Sequence, residues 1–494
     1  MSFLTDFELE TEIPNQMLAN PKLGTPDDWI DVIDPATGRI LTKIGDEGSE
    51  VVNAVVEKSL FALKNQWRSV TPAERSRILF RAAAEIRANA ERLAKIETLD
   101  CGKPLRESIG DIETSARYFE YYGGIADKLQ GDTIPLGGNL LSLTLHEPVG
   151  VTVHIVPWNF PLVQVARGVA AALAAGNTVI VKPAEQTPIS ALLLKQLLEN
   201  AGIPEDVYMV VTGRGETTGA ALSAHPDINH LTFTGSVPTG VAVMKSAAEN
   251  VVSVTLELGG KSPVIVLSDA DIDDAVEGTL KAIFMNAGQV CSAGSRLIVD
   301  RKVHDEIVSR LCDRSNAMTI GHGLFDPDLA AIISKEQLSK IDNVTKAARQ
   351  RNLNIICGGE VIHPDNCESG FFFSPTIIDD VPSQDTVAQE EIFGPVLAVQ
   401  IVDGVDEAIR VANDSKYGLV GGIYTRNVNA ALQTARDLEV GQVFINQYFA
   451  GGVETPFGGV GKSGFGREKG LDALKSYYRV KCITAKIGDT EGLH

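Results

Sequence analysis

The stretch at 285–296, MNAGQVCSAGSR, sets Cys291 among small or uncharged neighbours, with Gly288 before it and Ser292, Ala293, Gly294 and Ser295 after it. Such a run lets backbone N–H groups approach the sulfur and anything bonded to it. A thiolate is the strongest nucleophile among the ordinary side chains. A cysteine taken at random, however, is more often a buried structural thiol. Glu257 ends the apolar run VTLELGG at 254–260. Burial there raises a carboxyl pKa and suits a general base; a buried, paired structural carboxylate is the other reading. Asn159 lies between two prolines in PWNFP at 157–161. A side-chain amide held that rigidly can donate to an oxyanion, although the motif alone reads more plainly as a helix-capping Asn.

Two further turns suit a nucleotide. GSVPTG at 235–240 follows the strand-like HLTFT and precedes a helical stretch. Glycines in a strand-to-helix turn let a pyrophosphate reach backbone N–H groups at a helix N-terminus, and a purely structural turn explains them equally well. In VKPAEQTP, at 181–188, Lys182 and Glu185 follow a short apolar strand. A carboxylate at the end of such a strand can accept from ribose hydroxyls, and a lysine beside it can donate to the same sugar. A solvated ion pair is the alternative.

The elements that must position these residues follow from periodicity. Residues 49–101 are helical, with Thr71 as N-cap and Pro72 at the first helical position, and another helix is expected over 103–129. Alternation in LLSLTLHEP marks an extended ribbon within 130–148. Strands and helices then alternate, with helices closed by Gly176 and Gly202, which predicts a parallel, doubly wound sheet that binds at its carboxyl edge. VTLELGGKSPVIVLSD reads as a hinge into a second α/β domain over 295–440, and SYYRVKCITAKIG is a final strand without an obvious partner. At 494 residues the chain exceeds one core and predicts two or three domains. A net charge of −20 argues against nucleic acid and anionic membranes as partners. Six cysteines without a CxxC pair argue against a zinc site and a disulfide framework. The acidic N-terminus is no signal peptide and no apolar run is long enough to span a membrane, so a cytoplasmic protein without a metal is expected.

Together, PWNFP with Asn159, LELGGKSP with Glu257, GQVCSAG with Cys291, EEIFGPV with Glu391 and Phe393, and PFGGVGKSGFGRE with Phe457 resemble the aldehyde dehydrogenase superfamily from about residue 29 to 486. The resemblance implies an α/β fold: a Rossmann-type NAD-binding domain (26–129 and 149–258), an α/β catalytic domain (259–470) and a β oligomerisation arm (130–148 and 471–494), behind a loosely held N-terminal arm (1–25). It also implies NAD-dependent oxidation of an aldehyde to the acid. Cys291 would form a thioester, Asn159 would hold the oxyanion and Glu257 would activate water. Carried over by motif, Ile155, Pro157, Trp158, Lys182, Glu185, Gly215 and Gly219 would line the cofactor, as would Phe233, Gly235, Ser236, Thr239, Leu258, Glu391 and Phe393. Glu468 matches a position behind the site, and a homodimer, or a tetramer of two dimers, is expected.

Departures from the family pattern concern the substrate. Val290 stands where many members have a second Cys, and Gln164 and Arg167 replace the Met and aromatic of members acting on simple aldehydes. Arg167 matches an Arg that semialdehyde members use for a substrate carboxylate. The channel carried over by motif is otherwise apolar: Phe160, Met285, Val290, Ser292, Tyr448, Phe449 and Phe457, with Gly451 leaving room for a longer tail. No second basic residue occurs among those positions, so medium-chain aliphatic or aromatic aldehydes are favoured over a semialdehyde. A non-redox, Cys-dependent esterase or thioesterase is the alternative of another class, and the two nucleotide turns count against it.

Overall fold

Val151–Ile155 and Thr178–Lys182 are runs of β-branched and apolar residues buried along their whole length, the pattern of central parallel strands covered on both faces. The computed structural model describes residues 13, 15–23, 26 and 28–487. These two strands lie at the centre of a six-stranded sheet, in the order Gly464–Phe465, Ser253–Leu258, His230–Gly235, Val151–Ile155, Thr178–Lys182, Tyr208–Val210. All pairs are parallel except the first, which is antiparallel. Strand order reverses between Val151–Ile155 and His230–Gly235, which opens a crevice at their carboxyl ends.

The helices obey their end signals. Thr71 accepts a hydrogen bond from the Glu74 N–H at the start of Pro72–Ala88. Gly176 (φ 96°) and Gly202 (φ 102°) close Pro161–Ala175 and Ile189–Ala201 in the left-handed conformation that glycine adopts at little cost. Pro161–Ala175 is buried on nearly every face because almost every residue in it is apolar.

A second sheet of seven strands runs Asn354–Cys357, Thr376–Asp379, Val396–Val402, Arg296–Asp300, Pro263–Val266, Val420–Tyr424, Gln442–Ile445. Ser253–Leu258 and Pro263–Val266 therefore belong to different sheets, joined only by the residues GGKS, so the expected hinge is a direct passage between the two cores. Glu257 sits at its mouth.

Three expectations are corrected. The part of the N-terminal arm that is described is packed: Ile13, Ala19 and Asn20 are buried, and Asn20 donates to the Val210 carbonyl. Apolar side chains in it find a groove, so it is not loose there; residues 1–12 lie outside the described residues. The stretch 259–470 is not one unit, because Gly464–Phe465 returns to pair with Glu257 and Leu256 in the first sheet. The last strand, Tyr478–Lys486, does have a partner: it pairs antiparallel with Leu140–Pro148 over nine residue pairs, flanked by Thr133–Ile134. Among the described residues no helix is long and apolar enough to cross a membrane.

Candidate active site

Cys291 is delivered by an unusual turn. The amphipathic helix Ile272–Phe284 ends, and Asn286 (φ 47°), Ala287 (φ 52°) and Gly288 (φ 72°) follow in left-handed backbone. A Cβ on Gly288 would lie 2.2 Å from the Gly394 carbonyl oxygen, so only glycine fits. Side chains fix the turn. Glu107 accepts from the Asn286 N–H at 3.0 Å, the Asn286 amide donates to the Asn159 carbonyl at 2.9 Å, and Gln289 bridges the Asn286 carbonyl and the Ile333 N–H. The Tyr448 hydroxyl donates to the Ser292 carbonyl.

Asn159 faces this turn. Its side-chain amide donates one N–H to the Gln289 carbonyl at 2.8 Å and leaves the other free. It does not cap the helix that follows, whose N-cap is Phe160 without a side-chain bond. Glu257 is placed by sheet register, opposite Thr234 on one side and Gly464 on the other. It is 2 % exposed, and among the described residues neither carboxylate oxygen has a hydrogen-bond partner. Burial, reinforced by nearby Glu468, pushes its carboxyl well above the ordinary range, against the pull of Arg167. Burial likewise pushes the Cys291 thiol up to about 11, while the Arg167 charge and the Ser292 N–H favour the thiolate.

A small cavity of about 180 Å³ joins Cys291, Glu257, Asn159, Gln164, Glu391 and Phe393. It opens onto a cleft of about 720 Å³ at the sheet's switch point. Ile155, Pro157, Trp158, Lys182, Glu185, Gly215, Gly219, Phe233, Gly235, Ser236 and Thr239 all line this cleft. Leu258 does not; it packs behind, against Gly240. Ser236 caps the helix Val237–Glu249 by accepting from the Thr239 N–H, which turns a helix N-terminus toward the cleft. Lys182 and Glu185 pair at 3.5 Å. Glu391 accepts from the Gly260 N–H at 3.1 Å, and a Cβ on Gly259 would strike that carboxylate at 2.2 Å. Phe393 (φ 60°) meets the Trp158 ring edge-on at 5.2 Å between centroids.

Sequence reasoning missed Gln337 and Lys340, which line the same cavity from the helix Lys335–Gln350. Gln337 donates to the Ile392 and Phe393 carbonyls and so holds the strained Phe393 turn. One amphipathic helix among many carries no signal for this.

Of the channel residues, Val290, Tyr448 and Phe457 are buried in one apolar cluster, with Phe160, Met285, Cys291 and Phe449 packed against it. One expectation fails. Arg167 is not offered to a substrate: it is 4 % exposed and forms a close ion pair with Glu468, because its helix position points into the protein beside that buried carboxylate. Gly451 is exposed at a left-handed turn (φ 96°), a conformation that glycine adopts at little cost.

The geometry is a cysteine thiol, a buried carboxyl group and a side-chain amide at the inner end of a cleft at the sheet's switch point. The profile of the Aldehyde dehydrogenase family matches residues 24–483. The chain is 42% identical over 463 residues to aldehyde dehydrogenase family 2 member B4, mitochondrial, of Arabidopsis thaliana, covering 92% of this chain and 85% of that one. It is 39% identical over 463 residues to the 4-trimethylaminobutyraldehyde dehydrogenase of Oryzias latipes, covering 93% and 91%. The NAD+ complex of a Bacillus cereus aldehyde dehydrogenase superposes with a TM-score of 0.91 at 39% identity, covering 93% of this chain and 94% of that one. The chain therefore belongs to the aldehyde dehydrogenase family.

Proposed function

We propose that the chain oxidises an aldehyde to its carboxylic acid with NAD, through a thioester on Cys291. The observation that carries this reading is the convergence of Cys291, Glu257 and the Asn159 amide on one cavity that opens into the switch-point cleft. The cleft fits a dinucleotide: it has a helix N-terminus capped by Ser236 for the phosphates, and Lys182 with Glu185 for a ribose. Bound there, NAD supplies the hydride acceptor that turns the tetrahedral adduct into a thioester.

The chain's own residues do the rest. The Cys291 thiol gives up its proton to solvent, and the sulfur bonds to the carbonyl carbon as the C=O π pair moves onto oxygen. The free Asn159 N–H and the Cys291 backbone N–H hold the oxygen that gains charge. Glu257, poised by burial to accept a proton, takes one from the water that attacks the thioester; the acid leaves and the sulfur is restored. The apolar walls accept methylenes beside the reacting carbon, each contributing about 0.8 kcal/mol when buried. The exposed strand pair Leu140–Pro148 and Tyr478–Lys486 supports a homo-oligomer in which a free strand edge meets a second copy.

Mass spectrometry tests the central step. Glu257→Gln, mixed with NAD and octanal, should accumulate an octanoyl group on the peptide that carries Cys291. NADH formation without acyl label on that cysteine would overturn the thioester. Acyl transfer from an ester with no requirement for NAD would favour the hydrolase reading instead.

A further inference from the structure

The Arg167–Glu468 pair leaves one charge behind Cys291 unaccounted for. Residues 453–457 and 468–470 run antiparallel, with Phe457 and Glu468 exchanging backbone hydrogen bonds of 2.6 and 2.7 Å. Lys469 follows in left-handed backbone (φ 60°), between Gly466 (φ 89°) and Gly470 (φ 57°). A lysine seldom holds that conformation. The turn brings the ammonium to 5.1 Å from the centroid of the Phe457 ring. The Arg167 guanidinium lies 5.6 Å from the same centroid. Phe457 belongs to the buried apolar cluster against which Cys291 packs.

The two cations differ in their partners. Arg167 is buried and its charge is matched at close range by the Glu468 carboxylate, although its Nε–H has no partner among the described residues. Lys469 is half-buried, and among the described residues its ammonium has no hydrogen-bond or ion-pair partner; it has only the ring face. A partly desolvated ammonium gains most from an anion brought to it, and more than from a ring alone.

We propose that Lys469 receives a carboxylate at the far end of the aldehyde's tail, so that the preferred substrates are aldehydes with an apolar middle and an anionic end. This rests on aldehyde oxidation at Cys291 as set out above, and it moves the anionic site from Arg167 to Lys469. A trimethylammonium tail would be repelled by the same unpaired ammonium.

Matched substrates test it: butanal against succinic semialdehyde, and hexanal against adipic semialdehyde, with 4-trimethylaminobutyraldehyde as the cationic counterpart. In wild type, kcat/KM for the carboxylated member should exceed its neutral partner by about tenfold or more in at least one pair. Lys469→Asn, a residue that tolerates the left-handed turn, should lower that ratio by about tenfold. Lys469→Arg should hold it within about threefold, and the cationic aldehyde should improve relative to butanal in Lys469→Asn. NAD binding by calorimetry checks that each variant is folded, and the wild-type ratios stand as a test without any variant. Absence of a carboxylate preference in both wild-type pairs would overturn the proposal. So would a ratio unchanged in Lys469→Asn, since a lysine that only tuned Cys291 or Glu257 would slow all substrates alike. Failure of wild type to oxidise any of the five aldehydes would instead overturn the underlying function.

Discussion

Two clusters of buried charge flank the Cys291 turn, and they are built on opposite plans. On one side Lys103, with no exposed side-chain surface, pairs with Glu97 at 2.8 Å and Asp111 at 2.5 Å. The spare oxygen of Glu97 accepts from the Leu162 N–H in the first turn of the helix Pro161–Ala175, and neighbouring Glu107 accepts from Asn286. Burial works against the Lys103 ammonium, but the two carboxylates outweigh it and hold it charged. On the other side, Arg167 takes up Glu468, while both oxygens of Glu257 are left without a partner. Buried polar atoms are ordinarily satisfied because an unmade bond costs about 1–3 kcal/mol. The saturated cluster holds the site in shape. The unsaturated one is where a proton can move.

That contrast can be broken in descending steps. Cys291→Ala should lower dehydrogenase turnover by about 10⁴-fold or more while NAD binding by calorimetry stays within error, since only the nucleophile is lost. Activity within tenfold of wild type would end the assignment. Lys103→Met leaves Glu97 and Asp111 buried and uncompensated, and should destabilise the fold by about 3–5 kcal/mol in urea titration. Glu257→Gln should do the reverse: kcat falls about 100-fold after a burst of about one NADH per site, with a Tm equal to or above wild type. A marked loss of Tm would show that Glu257 is structural after all. In wild type both reactive groups are pushed upward, Cys291 to about 11, and each releases its proton only as pH rises. kcat/KM should therefore climb about tenfold or more from pH 6 to pH 9, and a profile falling over that range would contradict both directions. The smallest effect concerns the pair of buried Lys182 and partly exposed Glu185: a 2′-phosphate would meet Glu185, so NAD should exceed NADP by about tenfold in kcat/KM, with Lys182 limiting the margin.

Much of this was legible in the chain because it is local. Gly176, Gly202 and Thr71 mark helix ends by their own backbone chemistry, and the apolar runs at 151–155 and 178–182 are central strands on any reading. The residues of the site lie within motifs, and the structure brings Asn159, Glu257 and Cys291 to one cavity. What was not legible depends on distant partners. Gly464–Phe465 is too short to show a strand period, and its pairing is decided by the edge of Ser253–Leu258, some 200 positions earlier. Arg167 reads as a free cation until Glu468 is folded against it. Lys469 reads as an ordinary surface lysine, because nothing in GREKG announces a left-handed backbone.

The left-handed turn at Asn286 and Ala287 has a consequence for the order in which the molecule assembles. Each of these residues costs roughly 1–2 kcal/mol relative to ordinary backbone, so the segment does not adopt this shape unaided. Its restraints come from across the molecule: Glu107 belongs to the helix Leu105–Gly123, and the Asn159 carbonyl to the loop that leaves the first sheet. The reactive sulfur therefore acquires its setting only after both halves have docked, as a late event in folding. A nascent or half-unfolded chain carries Cys291 as an ordinary thiol without the Asn159 amide beside it. On warming, catalysis should fade at a lower temperature than the cofactor cleft, whose strands need only each other.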